Sequence, residues 1–174
     1  MYKLMTFKDS VRIPPAMLAE DLKESVYNLL NEKLARTIDK DYGIIISVEN
    51  PEIKSNGKIV HGDVGVYVDV EFDCIVFSPK INEIVEGEVS EIVEFGAFVN
   101  LGPMDGLAHV SQISDEFMSF DKKTGGLIGK KTKKTLKKGE IVKCKIATIS
   151  FKDTIQASKI GIVMRQNGLG KAKK

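Results

Sequence analysis

The chain has 174 residues, of which 43% are apolar and 29% charged, a composition typical of an ordinary globular protein. No stretch approaches the roughly 20 apolar residues of a membrane helix, and the first residues lack the apolar core of a secretion signal. We therefore expect a cytoplasmic protein, with no membrane partner, built as one large domain or two small ones. The two cysteines, Cys74 and Cys144, lie far apart in no Cys/His cluster, which disfavours a disulfide framework and a metal site.

The net charge of +2 conceals a steep asymmetry along the chain. Residues 1–80 carry 10 basic and 13 acidic side chains, and residues 81–116 carry 8 acidic side chains and no lysine or arginine. Residues 117–174 carry 16 basic and 3 acidic side chains. A segment this basic favours binding to a polyanion, most simply nucleic acid. The alternative is that the lysines only form a solvated surface that keeps the protein soluble.

The elements of residues 1–80 predict an α+β layer of the order β-α-β-β-β. An opening strand ends at Pro14-Pro15, and apolar residues then recur at helical spacing from about Ala16 to Arg36. A β-branched run over 42–48 predicts a second strand, and Asn56-Gly57 predicts a tight hairpin to the next. Strict alternation over 66–72 predicts a half-buried antiparallel strand, so we expect one sheet covered by one helix.

From residue 81 the pattern changes to short strands separated by turn residues. The predicted strands are Val85–Val93, Phe95–Leu101, Gly106–Val110, Ile141–Ile149 and Ser158–Met164. Five strands in so short a segment are typical of a small barrel, so the predicted domains are 1–80 and 81–174. A lysine-rich insert over 115–139 is expected to be an exposed loop or hairpin that attracts phosphates, with lysines at 130, 131, 133, 134, 137 and 138.

Two phenylalanines, Phe95 and Phe98, are the first candidates for a binding surface. Their spacing of three would place them on opposite faces of a regular strand, but a bulge at Gly96 would bring both to one face. Two exposed rings beside lysines would form a platform on which single-stranded bases stack. The alternative is that both rings belong to the core, and composition alone favours this alternative because buried phenylalanines are common.

The stretch Gly87–Ile113 reads G-x-V-x-x-I-x-x-F-G-A-F-V-x-L-x-x-x-x-G-L-x-H-x-S-x-I. This pattern resembles the RNA-binding OB-fold module first described in the largest small-subunit ribosomal protein, here called the S-one type. The resemblance implies a five-stranded antiparallel OB-fold barrel. It also implies an RNA face made by these residues: Phe95, Phe98, His109, Lys143, Lys145, Lys152 and Lys159.

Residues outside the barrel pattern extend the resemblance over nearly the whole chain. The opening strand with V-R-I-P-P, the segment G-K-I-V-H-G-D, and the ending M-R-Q-x-x-L-G-K resemble the archaeal RNA polymerase stalk family, counterpart of the seventh subunit of eukaryotic polymerase II. The resemblance implies a truncated ribonucleoprotein-like domain over 1–80 whose tip docks on the polymerase core. It also implies heterodimer formation with a small helical stalk protein called F and capture of emerging single-stranded RNA. The candidate core-docking residues are Pro14, Pro15, Gly62 and Asp63.

On this interpretation the chain is a non-catalytic subunit of a nucleotidyltransferase, with no cofactor, metal or small-molecule substrate of its own. One alternative is an RNA-binding cap subunit of an RNA-degradation complex, which the β-α-β-β-β front half disfavours. Another is a metal-dependent nuclease, which the lack of a carboxylate or histidine cluster disfavours.

Overall fold

The computed structural model of the chain describes residues 1–18, 21–121, 124–130 and 134–171. The chain divides into two units, Met1–Ser78 and Pro79–Lys174, and the division falls two residues before the predicted boundary.

Unit 1 is an antiparallel sheet covered by one helix, as the alternation of its strands predicts. Its strands follow the order β1-β5-β3-β2, and β4 pairs with β5 beyond the end of β3. The predicted α+β order of a strand, a helix and three further strands is confirmed, with one short strand added. The elements are β1 (Tyr2–Ile13), a 3-10 turn (Pro15–Met17), α1 (Leu22–Leu34), β2 (Ile38–Asp39), β3 (Gly43–Ile53), β4 (Lys58–Ile59) and β5 (Val66–Phe77).

The helix α1 begins at Leu22, six residues later than predicted. Its cap explains the difference: the Asp21 carboxylate accepts a hydrogen bond from the backbone N–H of Lys23, while Asp21 itself is extended. Val26 and Leu30 are fully buried and pack on the inner face of the sheet. Each such burial contributes about 1.5–3 kcal/mol, so the helix is held mainly by this face.

The predicted Asn56-Gly57 hairpin is wrong. A tight hairpin of this kind needs φ > 0 at both central residues, whereas Gly57 has φ +84° and Asn56 is not in the positive-φ region. The strands on both sides pair with β5 and not with each other. Ser55 holds the connection in place, since its hydroxyl accepts from the backbone N–H of Asp69 at 2.8 Å.

Unit 2 contains the predicted barrel, with all five predicted strands present within one or two residues of their expected ends. Around the barrel the order is β13-β8-β7-β6-β12, and pairing of β12 with β13 closes it. One correction concerns direction: β8 and β13 are parallel, so the barrel is antiparallel at every seam but this one. The barrel strands are β6 (Ile84–Val93), β7 (Gly96–Asn100), β8 (Asp105–His109), β12 (Ile141–Ser150) and β13 (Lys159–Val163).

The insert between β8 and β12 is more ordered than a loop or a single hairpin. A one-turn helix, α2 (Val110–Ile113), leads into a small antiparallel sheet of β9 (Met118–Asp121), β10 (Gly126–Gly129) and β11 (Thr135–Leu136). The sheet has its own buried residues, namely Met118, Leu127 and Leu136. Of the basic residues predicted in this loop, Lys131 and Lys133 lie outside the described residues. A final strand, β14 (Gly170–Lys171), pairs with the start of β12.

Candidate nucleic-acid interface

Gly96 sets the geometry of the strands that carry the predicted RNA face. A Cβ atom at this position would lie 2.2 Å from the carbonyl oxygen of Ala108, so only glycine permits this approach between β7 and β8. The resulting register pairs Gly96 with His109 and Phe98 with Leu107. Because residues two apart on a strand share a face, Phe98, Leu107 and His109 lie together on the outer face of the barrel.

Phe95 and Phe98 are brought together, but not by the predicted bulge. The bulge lies at Ser90 in β6, where the register with β7 shifts, whereas Gly96 is regularly paired. Phe95 instead lies in the turn that joins β6 to β7 and packs edge-on against Phe98, with ring centroids 6.5 Å apart at 83°. Phe95 is 52% exposed and Phe98 is half-buried, so Phe95 lies outside the core. We call these two rings the aromatic pair.

His109 stands at the end of β8, beside the aromatic pair. The backbone N–H of Val110 donates to the carbonyl of Phe95 at 2.9 Å, which ties the end of β8 to the turn carrying that ring. The His109 Nδ1 lies 2.9 Å from the Ser111 hydroxyl and accepts from the Ser111 N–H at 3.3 Å. These contacts occupy Nδ1 and fix the ring of an exposed histidine.

Three of the four predicted lysines lie on the strands that continue this outer face around the barrel. Gly161 of β13 pairs with Leu107, which places Lys159 on the same face, and the pairing of Val163 with Lys145 extends the face onto β12. Lys143 also lies on β12, but its Nζ is 3.0 Å from Oε1 of Glu86 and its charge is compensated. Lys145 and Lys159 form no ion pair with any part of the chain that the structure describes.

Lys152 lies in the loop between β12 and β13, and Ser158 holds that loop. The Ser158 hydroxyl accepts from the N–H of Lys152 at 2.9 Å and donates to the carbonyl of Thr154 at 2.8 Å. Ser158 is only 6% exposed. Nothing in the sequence indicates this role of Ser158, because a serine at the start of a strand gives no signal that its hydroxyl is buried.

Exposed carboxylates of β6 border the aromatic pair on one side. Glu86 and Glu88 of β6 are exposed and lie two residues apart on the outer face. The bulge at Ser90 brings exposed Glu91 to the same face, where it pairs with Phe98 in the register. Negative charge on β6 and positive charge on β12 and β13 therefore flank the aromatic pair. A polyanion bound here would be attracted toward β13 and repelled from β6.

The predicted docking residues of unit 1 meet at one end of its sheet. The segment Pro14-Pro15 follows β1, and the loop that contains Gly62 and Asp63 precedes β5. Because Ile13 pairs with Val66, both lie at the same end of the sheet. Gly62 has φ +87°, and a Cβ atom added there would meet no neighbour within 4 Å. Pro14 is extended and Pro15 opens the 3-10 turn.

Asp63 is fully engaged within the chain. Its carboxylate accepts from Nε and from a second nitrogen of the Arg12 guanidinium, at 2.7 and 2.6 Å. It also accepts from the N–H of Gly65 at 2.9 Å and from the Tyr67 hydroxyl at 2.8 Å. These bonds, with Arg12 first, hold the pKa of Asp63 well below its usual range. Asp63 therefore positions the loop, and its carboxylate has little left to offer a partner.

The loop that Asp63 anchors exposes apolar side chains. Ile59 is 79% exposed, Val60 50% and Val64 78%. Leu18, beyond the 3-10 turn, is also exposed. We call Ile59, Val60 and Val64 the apolar tip, and an exposed group of this kind is typical of a protein-binding surface.

Other kinds of site receive no support from the described part of the chain. No group of three or more His, Cys, Asp or Glu residues there is arranged to hold a metal ion. Burial raises the pKa of the Cys74 and Cys144 thiols to about 11, so both stay protonated near neutral pH. Within the described residues, no helix has the length and apolar character needed to span a membrane.

The closed five-stranded barrel with outward aromatic residues defines unit 2 as an OB-fold of nucleic-acid-binding type. Comparison with known families agrees: residues 78–159 match the S1 RNA binding domain. Residues 8–63 match the SHS2 domain found in N terminus of Rpb7p/Rpc25p/MJ0397.

A relative matched over nearly its whole length identifies the family. The chain is 40% identical to DNA-directed RNA polymerase subunit Rpo7 of Saccharolobus shibatae, over 98% of this chain and 95% of that protein. It is 33% identical to DNA-directed RNA polymerase III subunit RPC8 of Saccharomyces cerevisiae, over 58% of this chain and 48% of that protein. The chain therefore belongs to the Rpo7 family of DNA-directed RNA polymerase subunits.

The RNA-degradation alternative is not favoured. Ribonuclease R of Buchnera aphidicola is 34% identical to the chain, but the match covers 46% of this chain and 11% of that protein. This similarity is limited to the S1 domain.

Proposed function

We propose that the chain is a non-catalytic stalk subunit that holds single-stranded RNA emerging from the polymerase on the outer face of its barrel. The observation that carries the proposal is the aromatic pair, in which Phe95 is 52% exposed beside Phe98. Bases stack on the exposed ring, His109 donates or accepts hydrogen bonds at its free Nε2, and lysines attract the phosphates. The protein would act in the cytoplasm together with its polymerase.

The lysines contribute unequally in this proposal. Within the described residues, Lys145, Lys152 and Lys159 form no ion pair, whereas Lys143 is held by Glu86 at 3.0 Å. Each phosphate neutralised on a single strand changes the slope of log K against log salt by about 0.7. The proposal therefore gives Lys143 the smallest share of the salt dependence.

RNA binding is tested by fluorescence anisotropy with a labelled 15-nucleotide single-stranded RNA. We expect Phe95→Ala with Phe98→Ala to weaken binding at least about five-fold, since stacking contributes roughly 1–3 kcal/mol per base. Tyr2→Ala is the matched control, because Tyr2 is also a 52% exposed aromatic residue but belongs to unit 1. Equal affinities of the double variant and the control would refute the platform.

A salt titration separates the lysines. Lys159→Gln is expected to reduce the slope by about 0.7, and Lys143→Gln to change it much less. Equal changes for the two variants would show that the ion pair with Glu86 does not limit Lys143.

We further propose that the apolar tip docks on the polymerase core, with Pro14, Pro15, Gly62 and Asp63 shaping it, and that the small helical protein F completes a heterodimer. Tagged chain is recovered from native extract and the co-purifying polypeptides are identified by mass spectrometry. Val64→Asp is expected to abolish recovery of the large polymerase subunits while the small helical partner is still recovered. Ile141→Asp, at an exposed apolar residue of unit 2, is the control. Unchanged recovery with Val64→Asp would refute docking through the tip.

A further inference from the structure

Phe117, in the insert of unit 2, is the most exposed aromatic residue in the described part of the chain, at 67%. It immediately precedes β9. The ammonium group of Lys130 lies over its ring, 4.7 Å from the centroid. The backbone N–H of Lys130 also donates to the carbonyl of Phe117 at 3.2 Å. The ring and the cation are thus held together by two contacts.

The insert does not need this ring for its own packing. Met118, Leu127 and Leu136 make its interior and are at most 5% exposed. The pairing of Gly129 with Met118 fixes the two strand ends that carry Lys130 and Phe117. A ring paired with a cation is therefore presented to solvent by an ordered support, an arrangement on which a planar ligand can stack.

The charge around the ring narrows the ligand further. Residues 115–139 contain eight lysines and three acidic residues. Of the other described and exposed lysines, Lys134 lies at the same end of the small sheet as Phe117, because its carbonyl accepts from the N–H of Gly129 at 2.9 Å. Lys137 lies beside Gly126, at the far end of β10. A ligand that combines a planar ring with a nearby negative charge fits this composition, and a nucleotide in a single strand has both.

We propose that Phe117 and Lys130 form a second RNA contact, separate from the aromatic pair. One base stacks on the face of Phe117 that Lys130 leaves open, and Lys130 and Lys134 bind the adjoining phosphates. The inference rests on the proposed function, because it assumes that RNA also occupies the outer face of the barrel.

The chain path limits how far apart the two contacts lie. Phe117 lies eight positions after His109 in the chain, and each step spans at most about 3.6 Å, so their Cα atoms are within about 29 Å. At a stacked rise of about 3.4 Å per nucleotide, a strand covers that distance in about nine nucleotides. An RNA of 15 nucleotides can therefore reach both contacts at once.

The test compares Phe117→Ala, Phe117→Leu and the wild-type full chain, using labelled single-stranded RNAs of 5 and 15 nucleotides. Both substitutions are expected to weaken binding of the longer RNA about five-fold or more, because leucine keeps the apolar character but offers no stacking face. Ile141→Ala removes another exposed apolar side chain from the same unit and should leave both affinities unchanged.

Ultraviolet crosslinking of the 15-nucleotide RNA, substituted with 4-thiouridine, provides the second readout. The peptide containing Phe117 is expected to carry the label, and hydrogen exchange of β9 and β10 checks that the variants remain folded. Unchanged affinity for the longer RNA in folded variants, with no crosslink at this peptide, would overturn the inference. It would also be overturned if the Phe117 variants lost polymerase subunits in the native pull-down but kept their affinity for RNA. In either case, loss of RNA binding on changing the aromatic pair would leave the proposed function standing. Failure of the wild-type chain to bind the longer RNA would instead remove the proposed function itself.

Discussion

The approach of β7 to β8 at Gly96 makes Gly96→Ala the sharpest test of how the barrel positions its aromatic pair. The added Cβ would meet the Ala108 carbonyl oxygen at 2.2 Å and two further backbone atoms at 3.1 Å. Backbone in a paired strand cannot rotate away, so the strands must separate. Overpacking of this kind costs about 1–3 kcal/mol, and each kcal/mol lowers the melting temperature of a domain this size by roughly 4–8 °C.

Gly161→Ala is the matched control for that substitution. Its Cβ would also come close to another atom, at 2.4 Å, but that atom is the Thr148 hydroxyl oxygen at the end of a rotatable side chain. We expect Gly161→Ala to cost clearly less than Gly96→Ala. Calorimetry of the full chain measures both melting shifts, and hydrogen exchange reports whether the amides of β7 and β8 lose protection only in Gly96→Ala. Equal shifts, or unchanged protection in Gly96→Ala, would refute the close-approach argument.

Two further predictions concern the anchors of exposed loops. Asp63→Asn should destabilise unit 1 at pH 7. Because Arg12 lowers the pKa of Asp63 in the folded state, the stability that wild type has over the variant is fully present above pH 4, near the ordinary aspartate pKa of about 4, and declines as the pH falls below it. Melting curves of both proteins at pH 7 and pH 3 check this, and a constant difference would contradict it. Ser158→Ala removes the hydrogen bonds to the N–H of Lys152 and to the carbonyl of Thr154, at a cost of about 0.5–1.5 kcal/mol for each bond. Chemical denaturation measures this cost, and an unchanged free energy of unfolding would contradict the role assigned to the Ser158 hydroxyl. Hydrogen exchange should be faster at the amides of residues 151–158 in the variant.

Much of the architecture could be predicted because its causes are local. Alternating apolar residues determined which face of β5 and β6 is buried, and the pattern from Gly87 to Ile113 located three barrel strands. The start of α1 could not be placed so well, since Pro15 and Asp21 are both acceptable helix starts and the 3-10 turn uses the first of them. The spacing of apolar residues does not determine at which of these two positions the helix begins.

Features that depend on distant pairing were harder to predict. The Asn56-Gly57 dipeptide has the composition of a tight hairpin, but β5 pairs with both neighbouring strands and removes the need for one. The two rings of the aromatic pair meet because Phe95 lies in a turn, and only the register of β6 with β7 reveals this. The engagement of Asp63 by Arg12 joins residues 51 positions apart, for which the sequence offers no signal.

The four hydrogen bonds to Asp63 also bear on how the apolar tip would meet a protein surface. Ordering a free loop on binding costs about 0.5–1.5 kcal/mol for each immobilised side chain, and this cost is subtracted from the affinity. Here the backbone next to Val64 is already fixed by bonds to Arg12, Gly65 and Tyr67. Much of the conformational entropy of the loop is therefore lost during folding, so a partner would gain most of the hydrophobic contact energy as affinity.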